Sequence, residues 1–305
     1  MSTLDDSLAA GGSTAGVPTA GVPTVGVPTV EAGQKQPAGK PRHRVVALIN
    51  PNLHCRATCA ELINAGVNLV GIVEAQTKTG GLPVANFKRL VKKQGLTTTA
   101  SQVAARLAYN VANRSKDRRL YEELFNRDHI ESTLRRWNGP VVTCTDYAES
   151  SAMAAIQQLS PDILVVHSQS WVTRKVRELA ATGLVIGGHP GITPHYRGSH
   201  SSFWALLNKQ PEMVGWTAFH VDKGVDTGDV IVQGRLEVQP DDSYVTLNWR
   251  GMVEIAKAQA AAISNYDQHG IVSRIPHAAV PDDSEFGLPG VVEYLRYRRS
   301  QSLAR

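Results

Sequence analysis

Short apolar runs alternate with amphipathic stretches along most of the chain. Val45 to Ile49 is a continuous apolar run of strand length, Cys55 to Ala65 has helical spacing, and Leu69 to Val73 is apolar again. This order predicts a βαβ unit, which forms a parallel sheet through a right-handed crossover. Further strands are predicted at 141–144, 163–167, 184–186, 214–221 and 230–232. The pattern therefore predicts an α/β domain whose mostly parallel central sheet is flanked by helices.

The predicted helices lie between these strands and after them. Their ranges are 55–65, 84–93, 101–111, 117–137, 147–159, 172–181, 201–208, 244–268 and 291–299. The charged helix at 117–137 carries an apolar stripe, which favours packing in the core or at an interface. The stripe comprises Leu120, Leu124, Phe125 and Ile130.

Residues 1–43 differ from the rest in composition. They are rich in Ser, Thr, Gly, Ala and Pro, and the sequences GVPTA, GVPTV and GVPTV follow one another from Gly16 to Val30. A proline every five residues opposes helix and strand formation, so this segment is predicted to be a disordered, low-complexity tail. A docking or assembly segment is the alternative.

Two loops carry residues suited to catalysis. The run Leu184 to Ile186 is expected to stop at Gly187-Gly188-His189-Pro190-Gly191, which places His189 at the carboxyl end of a strand. In the second loop, Gly224 and Gly228 form a turn that presents Asp222, Asp226 and Asp229. Open parallel sheets bind ligands at the carboxyl ends of their strands, so we expect the two strand ends to meet at one pocket there.

Composition fits an enzyme-sized globular protein. The chain has 305 residues, of which 42% are apolar and 19% charged, and its formal net charge is +5. The basic residues are scattered and not interleaved with aromatic residues, so a nucleic-acid partner is not expected. The positive charge suits an anionic small molecule, such as a folate polyglutamate tail or a nucleotide.

Cysteine content and apolar run length bear on location. The three cysteines give no disulfide framework, and Cys55 and Cys59 are interpreted as small buried hydrophobes. The spacing of His189, His195 and His200 fits no common metal site, so no metal is predicted. No apolar run approaches the roughly 18 residues of a membrane span, and no secretory signal is evident. The predicted location is the cytoplasm.

Several motifs in order resemble the catalytic core of the folate-dependent formyltransferases, the family of glycinamide ribonucleotide and methionyl-tRNA formyltransferases. These motifs are His189-Pro190, Pro194, Tyr196-Arg197-Gly198, Trp204-Ala205 and Gly224-Val225-Asp226-Thr227-Gly228. The resemblance implies a Rossmann-like formyltransferase fold and transfer of a formyl group from 10-formyltetrahydrofolate to an amine. It also implies that His189 and Asp226 are catalytic.

Further site residues follow from the same resemblance. The family holds the pterin ring largely through backbone groups, which here correspond to the segment Asp162 to Thr173 and to the Asp-x-Gly loop. The implied folate-binding residues are His167, Ser168, Gln169, Ser170, Trp171, Val172, Gly224 and Val225. The implied substrate-binding residues are Gly187, Gly188, Pro190, Tyr196 and Arg197.

Two positions depart from the family pattern. Gly187 stands where the family has an asparagine, and Phe219 stands where it often has a histidine, with His220 one place along. A tetrahedral transfer intermediate needs donors aimed at its oxyanion. Candidate replacements are the backbone amides of Gly187-Gly188 and the side chains of Asn52, His195 and His200.

The acceptor is predicted to be a small molecule, such as an amino sugar nucleotide or an amino-acid derivative. Methionyl-tRNA enzymes of the family carry a further β-barrel domain, and no succession of short alternating strands follows Gln239. The alternatives are a hydrolase, another one-carbon or acyl transferase on the same scaffold, and a non-catalytic folate-binding regulatory protein.

The predicted organisation has three parts. After the tail at 1–43 come a catalytic domain at 44–240, with a helical insertion at 76–138, and a C-terminal helical extension at 241–305. The insertion would cover the active site, bind the acceptor or join two subunits of a homo-oligomer.

Overall fold

A computed structural model describes residues 42–76, 84–277 and 279–303. Its strands are β1 (Val45–Ile49), β2 (Leu69–Ala75), β3 (Val141–Cys144), β4 (Ile163–His167), β5 (Leu184–His189), β6 (Arg197–Gly198), β7 (Gly215–His220), β8 (Val230–Arg235) and β9 (Glu285–Phe286). Its α-helices are α1 (Leu53–Asn64), α2 (Val84–Gln94), α3 (Leu96–Leu124), α4 (Arg127–Trp137), α5 (Ser150–Gln158), α6 (Arg174–Arg177), α7 (Ser201–Leu207), α8 (Tyr244–His269) and α9 (Val291–Leu303). Short 3₁₀ helices span Pro211–Met213 and Asp282–Ser284.

Seven strands form one sheet in the order β3-β2-β1-β4-β5-β7-β8. The five strands from β3 to β5 are parallel, whereas β7 is antiparallel to both β5 and β8. The predicted α/β class with a mostly parallel central sheet is confirmed. The two-residue strands β6 and β9 form a separate parallel pair.

Both faces of the sheet are covered, as the continuous apolar runs of the central strands require. Every residue of β1 is buried. On one face, the side chains of Val45, Ala47 and Ile49 pack against α1 and α8. On the other face, Val46 and Leu48 pack against α5 and the α6 region. Because α8 packs directly on the sheet, its inner residues belong to the same core as the strands. The boundary predicted at residue 240, between the catalytic domain and the C-terminal extension, stays a prediction.

The predicted helical insertion packs onto the rest of the molecule. The inner side of α3 contacts α8 and α9, where Tyr109 meets Tyr244 and Tyr294. At its carboxyl end, Phe125 and Ile130 are buried against α1. The apolar stripe predicted at 117–137 is thus a packing surface.

The predicted positions of the helix breaks in this region were wrong. The sequence predicted separate helices at 101–111 and 117–137, but α3 is continuous from Leu96 to Leu124. Nothing between Val111 and Asp117 stops a helix, since the segment lacks glycine and proline. The break falls at Phe125-Asn126, where the Asn126 side chain accepts a hydrogen bond from the His129 amide and caps α4.

Other elements also differ in length from the prediction. The helix predicted at 172–181 is only the single turn Arg174–Arg177. The helix predicted from Tyr147 begins at Ser150, because the Asp146 carboxylate accepts from the Ala148 amide and forms a turn. Gly187 and Gly188 do not end β5, because they pair with Phe219 and Ala218 of β7 and the strand continues to His189.

Some predictions fall on residues outside the described ranges. The GVPT repeats of the tail and residues 77–83 of the predicted insertion are among them. No helix in the described ranges combines the length and hydropathy needed to cross a bilayer.

All three cysteines are free and buried, as the interpretation of Cys55 and Cys59 as hydrophobes requires. Burial raises the pKa of the Cys55 thiol to about 12.

Candidate active site

The topology of the sheet defines where a ligand is expected. The chain leaves β1 toward β2 and β3 on one side and returns to β4 on the other. In open α/β sheets, the crevice outside the carboxyl ends at such a reversal is the usual ligand site. Here Asn50 follows β1 and Ser168 follows β4, so these two residues stand at the reversal.

Asn50 organises the loop that follows β4. Its side chain is fully buried; Nδ2 donates to the Ala75 carbonyl at 2.9 Å, and Oδ1 accepts from the Gln169 amide at 2.7 Å and from Ser168 Oγ at 3.2 Å. The hydroxyl of Tyr147 lies 2.9 Å from Ser168 Oγ and donates to the Ile49 carbonyl. The loop is thus fixed by side chains at the ends of two neighbouring strands.

The predicted folate-binding segment divides into exposed and buried residues. Gln169 is exposed, and Trp171 is 53% exposed at the same edge of the sheet. Val172 instead packs in the core beneath the sheet. The backbone and the two exposed side chains are therefore what this segment offers to a ligand.

His167 points away from this edge. It lies on the α1 side of the sheet, where its Nδ1 is 2.9 Å from Thr58 Oγ1 and Gln259 also contacts the ring. Burial, with a smaller contribution from the nearby His54, lowers the pKa of His167 to about 3. The ring is a neutral core histidine on the face opposite His189.

His189 and Asp226, the predicted catalytic pair, lie together at the carboxyl end of β5. His189 Nδ1 is 3.3 Å from Asp226 Oδ2, and His189 Nε2 is 2.9 Å from the Tyr196 carbonyl oxygen. Both ring nitrogens thus face oxygen acceptors. A neutral imidazole donates from only one nitrogen, and the nitrogen that faces a carbonyl oxygen must be the donor, so Nε2 donates to Tyr196 and Nδ1 faces the carboxylate. The imidazole and the carboxylate are therefore placed where a proton can pass between them.

The backbone around Asp226 is held from a neighbouring segment. Asp226 has φ +52°, a left-handed conformation that costs a residue with a side chain about 1 kcal/mol. Its Oδ2 accepts a hydrogen bond from the Gly198 amide at 3.1 Å, and Arg197 Nη1 donates to the Val225 carbonyl at 2.9 Å. These contacts with residues 197–198 fix the carboxylate where His189 meets it.

The rest of the Asp226 loop is closed by its own hydrogen bonds. The Asp222 carboxylate accepts from the Gly224 amide and from the Thr227 hydroxyl. Val225 is 37% exposed beside Asp226. Of the predicted folate contacts in this loop, Gly224 is therefore part of the turn and Val225 presents its side chain outward.

The two glycines of β5 are covered on opposite faces. A Cβ at Gly187 would lie 2.8 Å from Val221 Cγ2 and 3.0 Å from Phe219 Cε2, so the Phe219 ring takes the space of a side chain at 187. A Cβ at Gly188 would lie 2.1 Å from Ile255 Cγ2 of α8. Neither glycine faces an open pocket with room for a larger residue.

The other predicted substrate-binding residues are tied into the protein. Tyr196 is buried, stacks on Phe286 at 5.4 Å and receives a hydrogen bond from Asn208. Arg197 is buried, and its Nε donates to Ser284 Oγ at 3.0 Å. Pro190 is half-buried beside α8. The geometry gives Tyr196 and Arg197 a role in holding the loop, while substrate contact by these residues stays a prediction.

The candidate replacement donors are dispersed. His200 begins α7 with its ring 5.4 Å from Tyr244, and burial lowers its pKa to about 4. His195 is half-buried, its pKa lowered by burial, and it is close enough to His277 to influence the pKa of that ring. Asn52 lies at the start of α1. His220 contacts the Ser273 carbonyl and Arg274, and so does not replace the histidine absent at Phe219.

Three features were not identified from sequence as parts of the site. Asn50 carries the same signal as His189, a polar residue just after a buried apolar run. His277, near Gly228, has a buried Nε2 with no hydrogen-bond partner among the described residues. Residues 284–286 contact Arg197 and Gly198, but no pattern marks this short pairing. In the part of the chain that the structure covers, no three His, Cys, Asp or Glu side chains are grouped to hold a metal ion.

Comparison with known proteins assigns the chain to a family. The sequence model of the formyl transferase family matches residues 60–263, more than half of the chain and including His189 and Asp226. The protein belongs to the formyl transferase family.

Two methionyl-tRNA formyltransferases are similar to part of the chain. The chain is 33% identical over 108 residues to the methionyl-tRNA formyltransferase of Anaeromyxobacter sp. (strain K), covering 35% of this chain and 34% of that protein. It is 32% identical over 105 residues to the methionyl-tRNA formyltransferase of Desulforamulus reducens, covering 34% of this chain and 32% of that protein. The matched region thus spans about a third of the length of these curated relatives.

A solved structure shares the fold. Glycinamide ribonucleotide transformylase 1 from Symbiobacterium toebii superimposes with a TM-score of 0.50, 14% sequence identity, and coverage of 77% of this chain and 95% of that one. At this identity the likeness shows the fold alone, which is the Rossmann-like fold implied by the motifs.

Proposed function

We propose that the protein transfers a formyl group from 10-formyltetrahydrofolate to the amine of a small-molecule acceptor. Membership of the formyl transferase family supports the reaction class. The observation that carries the proposal is the contact of His189 with Asp226 at the carboxyl end of β5, next to the reversal point of the sheet.

The chemistry needs a proton carrier. The amine nitrogen attacks the formyl carbon, a C–N bond forms, and the carbonyl oxygen becomes an oxyanion. The bond from the formyl carbon to the folate nitrogen then breaks, and the proton lost by the amine ends on that nitrogen. The products are the N-formyl acceptor and tetrahydrofolate. No other reactant is required.

We assign the proton transfer to His189 and Asp226. The exchange with the acceptor is assigned to Asp226, because its side chain is 20% exposed while that of His189 is only 6% exposed. Positioned acid-base groups of this kind contribute roughly a hundredfold to ten-thousandfold in rate. For His189 to donate to the oxyanion itself, it would first have to leave the Tyr196 carbonyl.

The donor is proposed to bind across the edge where Asn50 fixes the loop after β4. Backbone groups of Ser168 to Ser170, with Trp171 and Val225 exposed nearby, are the surfaces offered to the pterin ring. We propose an amino sugar nucleotide or an amino-acid derivative as acceptor. Cytoplasmic location and homo-oligomer formation stay predictions.

A second candidate function is favoured by the packing of Phe219 over Gly187. This arrangement places an aromatic ring where the family pattern has polar residues, and losing one oxyanion donor costs about a hundredfold to a thousandfold in rate. On this alternative the site hydrolyses the formyl donor, or binds folate without rapid transfer.

The experiment combines the purified full chain with 10-formyltetrahydrofolate, with and without a pool of amine metabolites. Tetrahydrofolate release is followed by absorbance, and acceptors are searched by mass spectrometry for a formyl group in place of one hydrogen. Amine-dependent release with one mass-shifted acceptor is the expected result.

The other outcomes separate the alternatives. Release at the same rate without any amine identifies a hydrolase. Saturable folate binding without release identifies a binding protein and contradicts the proposed transfer.

A further inference from the structure

A short segment near the C-terminus contacts the residues next to the catalytic pair. We call residues 281–287 the strap. Its Glu285 and Phe286 pair in parallel with Arg197 and Gly198, and the Ser199 amide donates to the Phe286 carbonyl at 2.8 Å. Ser284 Oγ accepts from Arg197 Nε at 3.0 Å. The strap therefore holds the backbone of 197–199 through hydrogen bonds.

Aromatic packing adds to these bonds. The Phe286 ring lies between two others, stacked on Tyr196 at 5.4 Å with a 13° interplanar angle and on Trp204 at 5.1 Å with a 23° angle. Trp204 Nε1 also donates to the Gly287 carbonyl at 3.0 Å. Gly198 has φ +81°, and a Cβ there would lie 2.6 Å from the Phe286 carbonyl oxygen. The close approach of the strap thus depends on a glycine at 198.

Residues 196–198, which the strap contacts, also contact His189 and the Asp226 loop. The Tyr196 carbonyl contacts His189 Nε2, the Gly198 amide donates to Asp226 Oδ2, and Arg197 donates to the Val225 carbonyl. Residues 196–198 are thus a shared layer between the strap and the pair. Any shift of this layer alters both ring contacts of His189.

We propose that the strap sets the geometry of His189 and Asp226, and that Phe286 is a positioning residue for the reaction. The strap lies outside residues 60–263, which match the family model, so this chain supplies the support from its own C-terminal region. The effect on catalysis rests on the proposed formyl transfer. The positioning itself is a property of the pair and is measurable without turnover.

The expected effect of loosening the strap follows from the backbone of Asp226. A left-handed residue with a side chain persists only where its surroundings over-determine it. Loss of the Phe286 stacks removes part of that restraint, so the carboxylate is expected to drift from the ring. Displacements of about 1 Å in such sites cost on the order of a hundredfold in rate.

The test compares two substitutions of matched character. Phe286→Leu keeps an apolar side chain but removes both ring stacks. Tyr297→Leu is the control, because Tyr297 packs on Phe203 and Tyr244 in the same C-terminal region. Phe286→Tyr retains the aromatic ring, so its kcat, KM and His189 signal should match those of the native protein. Thermal unfolding places the variants on a common scale of stability.

Two readouts are taken for each protein. The first is kcat and KM for formyl transfer across pH. The second is the ¹H–¹⁵N signal of the His189 imidazole, assigned with His189→Gln and titrated between about pH 5 and 8. The expected result for Phe286→Leu is a kcat lower by about tenfold to a hundredfold with KM little changed, an altered pH profile, and a changed His189 titration. Tyr297→Leu should leave kcat and the titration as in the native protein.

Each outcome decides the inference. If Phe286→Leu and Tyr297→Leu give the same His189 titration, the strap does not position the pair, whether or not the native protein is active. If the titration changes only in Phe286→Leu while the native protein transfers no formyl group, the positioning stands and the proposed function fails.

Discussion

Phe219 packs over Gly187 across the antiparallel pair of β5 and β7, and its ring fills the space that a side chain at position 187 would need. The two departures from the family pattern therefore lie in direct contact. Each explains the other in steric terms, because a small residue at 187 makes room for a large one at 219.

Gly187→Asn is expected to destabilise the protein and to leave transfer no faster. Overpacking a filled core costs about 1 to 3 kcal/mol, and Phe219 and Val221 leave no room for the amide. The double variant Gly187→Asn, Phe219→His should recover much of that loss. Denaturant unfolding of the four proteins in a double-mutant cycle measures the coupling. Additive effects of the two substitutions would show that the ring does not restrict position 187.

Asn50→Ala is expected to loosen the loop after β4. The substitution leaves the Gln169 amide and the Ala75 carbonyl without their partner, at a cost of roughly 1 to 3 kcal/mol. Folate affinity should fall as well, because the loop presents its backbone to the ligand in the proposed complex. Asn68→Ala, which removes a surface hydrogen bond to the Arg42 carbonyl, is the control. Unfolding curves and folate titration compare the two variants; equal folate affinity in both would remove Asn50 from the account of binding.

The buried ring of His167 is expected to make the stability of the folded protein depend on pH. Burial lowers its pKa from 6.5 to about 3, so the unfolded chain binds a proton that the folded one excludes. The contribution of the neutral His167 ring to the free energy of unfolding is present above pH 6.5. It is lost as the pH falls from 6.5 toward the pKa of about 3 in the folded protein. Near pH 5 the slope approaches about 1.4 kcal/mol per pH unit. His167→Gln should therefore lose less stability than the native protein between pH 7 and pH 5.

The control for this measurement is His129→Gln, which alters an exposed ring. Urea unfolding at both pH values gives the two free-energy differences. A native slope that persists in His167→Gln would assign the acid sensitivity to other groups, such as His54, whose pKa burial lowers to about 4.

Ser243→Ala is expected to destabilise by more than the loss of a helix cap. Ser243 caps α8 and also donates to the buried Asp117 carboxylate at 2.9 Å, to which Tyr109 donates as well. Cap loss alone costs about 1 kcal/mol, and a buried carboxylate without its donor adds roughly 1 to 3 kcal/mol. A cycle with Asp117→Asn measured by chemical unfolding separates the two terms. Identical costs of Ser243→Ala in both backgrounds would show that Asp117 does not depend on the serine.

The fold and the pairing of His189 with Asp226 were predicted from different kinds of information. Apolar runs of strand length predicted the parallel strands, and a polar residue after such a run placed His189 at the sheet edge. Asp226 was selected through the family motif, because residue spacing does not reveal which aspartate of a loop meets a histidine from another strand.

Other features depended on long-range packing that sequence periodicity does not encode. The side of the sheet on which His167 lies follows from strand register, and its burial between α1 and α8 follows from helix placement. The strap pairs only two residues, too few for a strand pattern. The single helix α3 was divided in the prediction at residues 112–116, although nothing in this polar segment ends a helix.

The most direct test of the account compares Asp226→Asn with Asp229→Asn in the tetrahydrofolate-release assay. Both substitutions remove one charge from the same loop, but Asp229 pairs with Arg274, whereas Asp226 meets His189. With an acceptor that the native protein formylates, Asp226→Asn should lower kcat by about a hundredfold or more, while Asp229→Asn should stay near the native rate. Native turnover by folded Asp226→Asn would contradict the assignment of the proton transfer to His189 and Asp226.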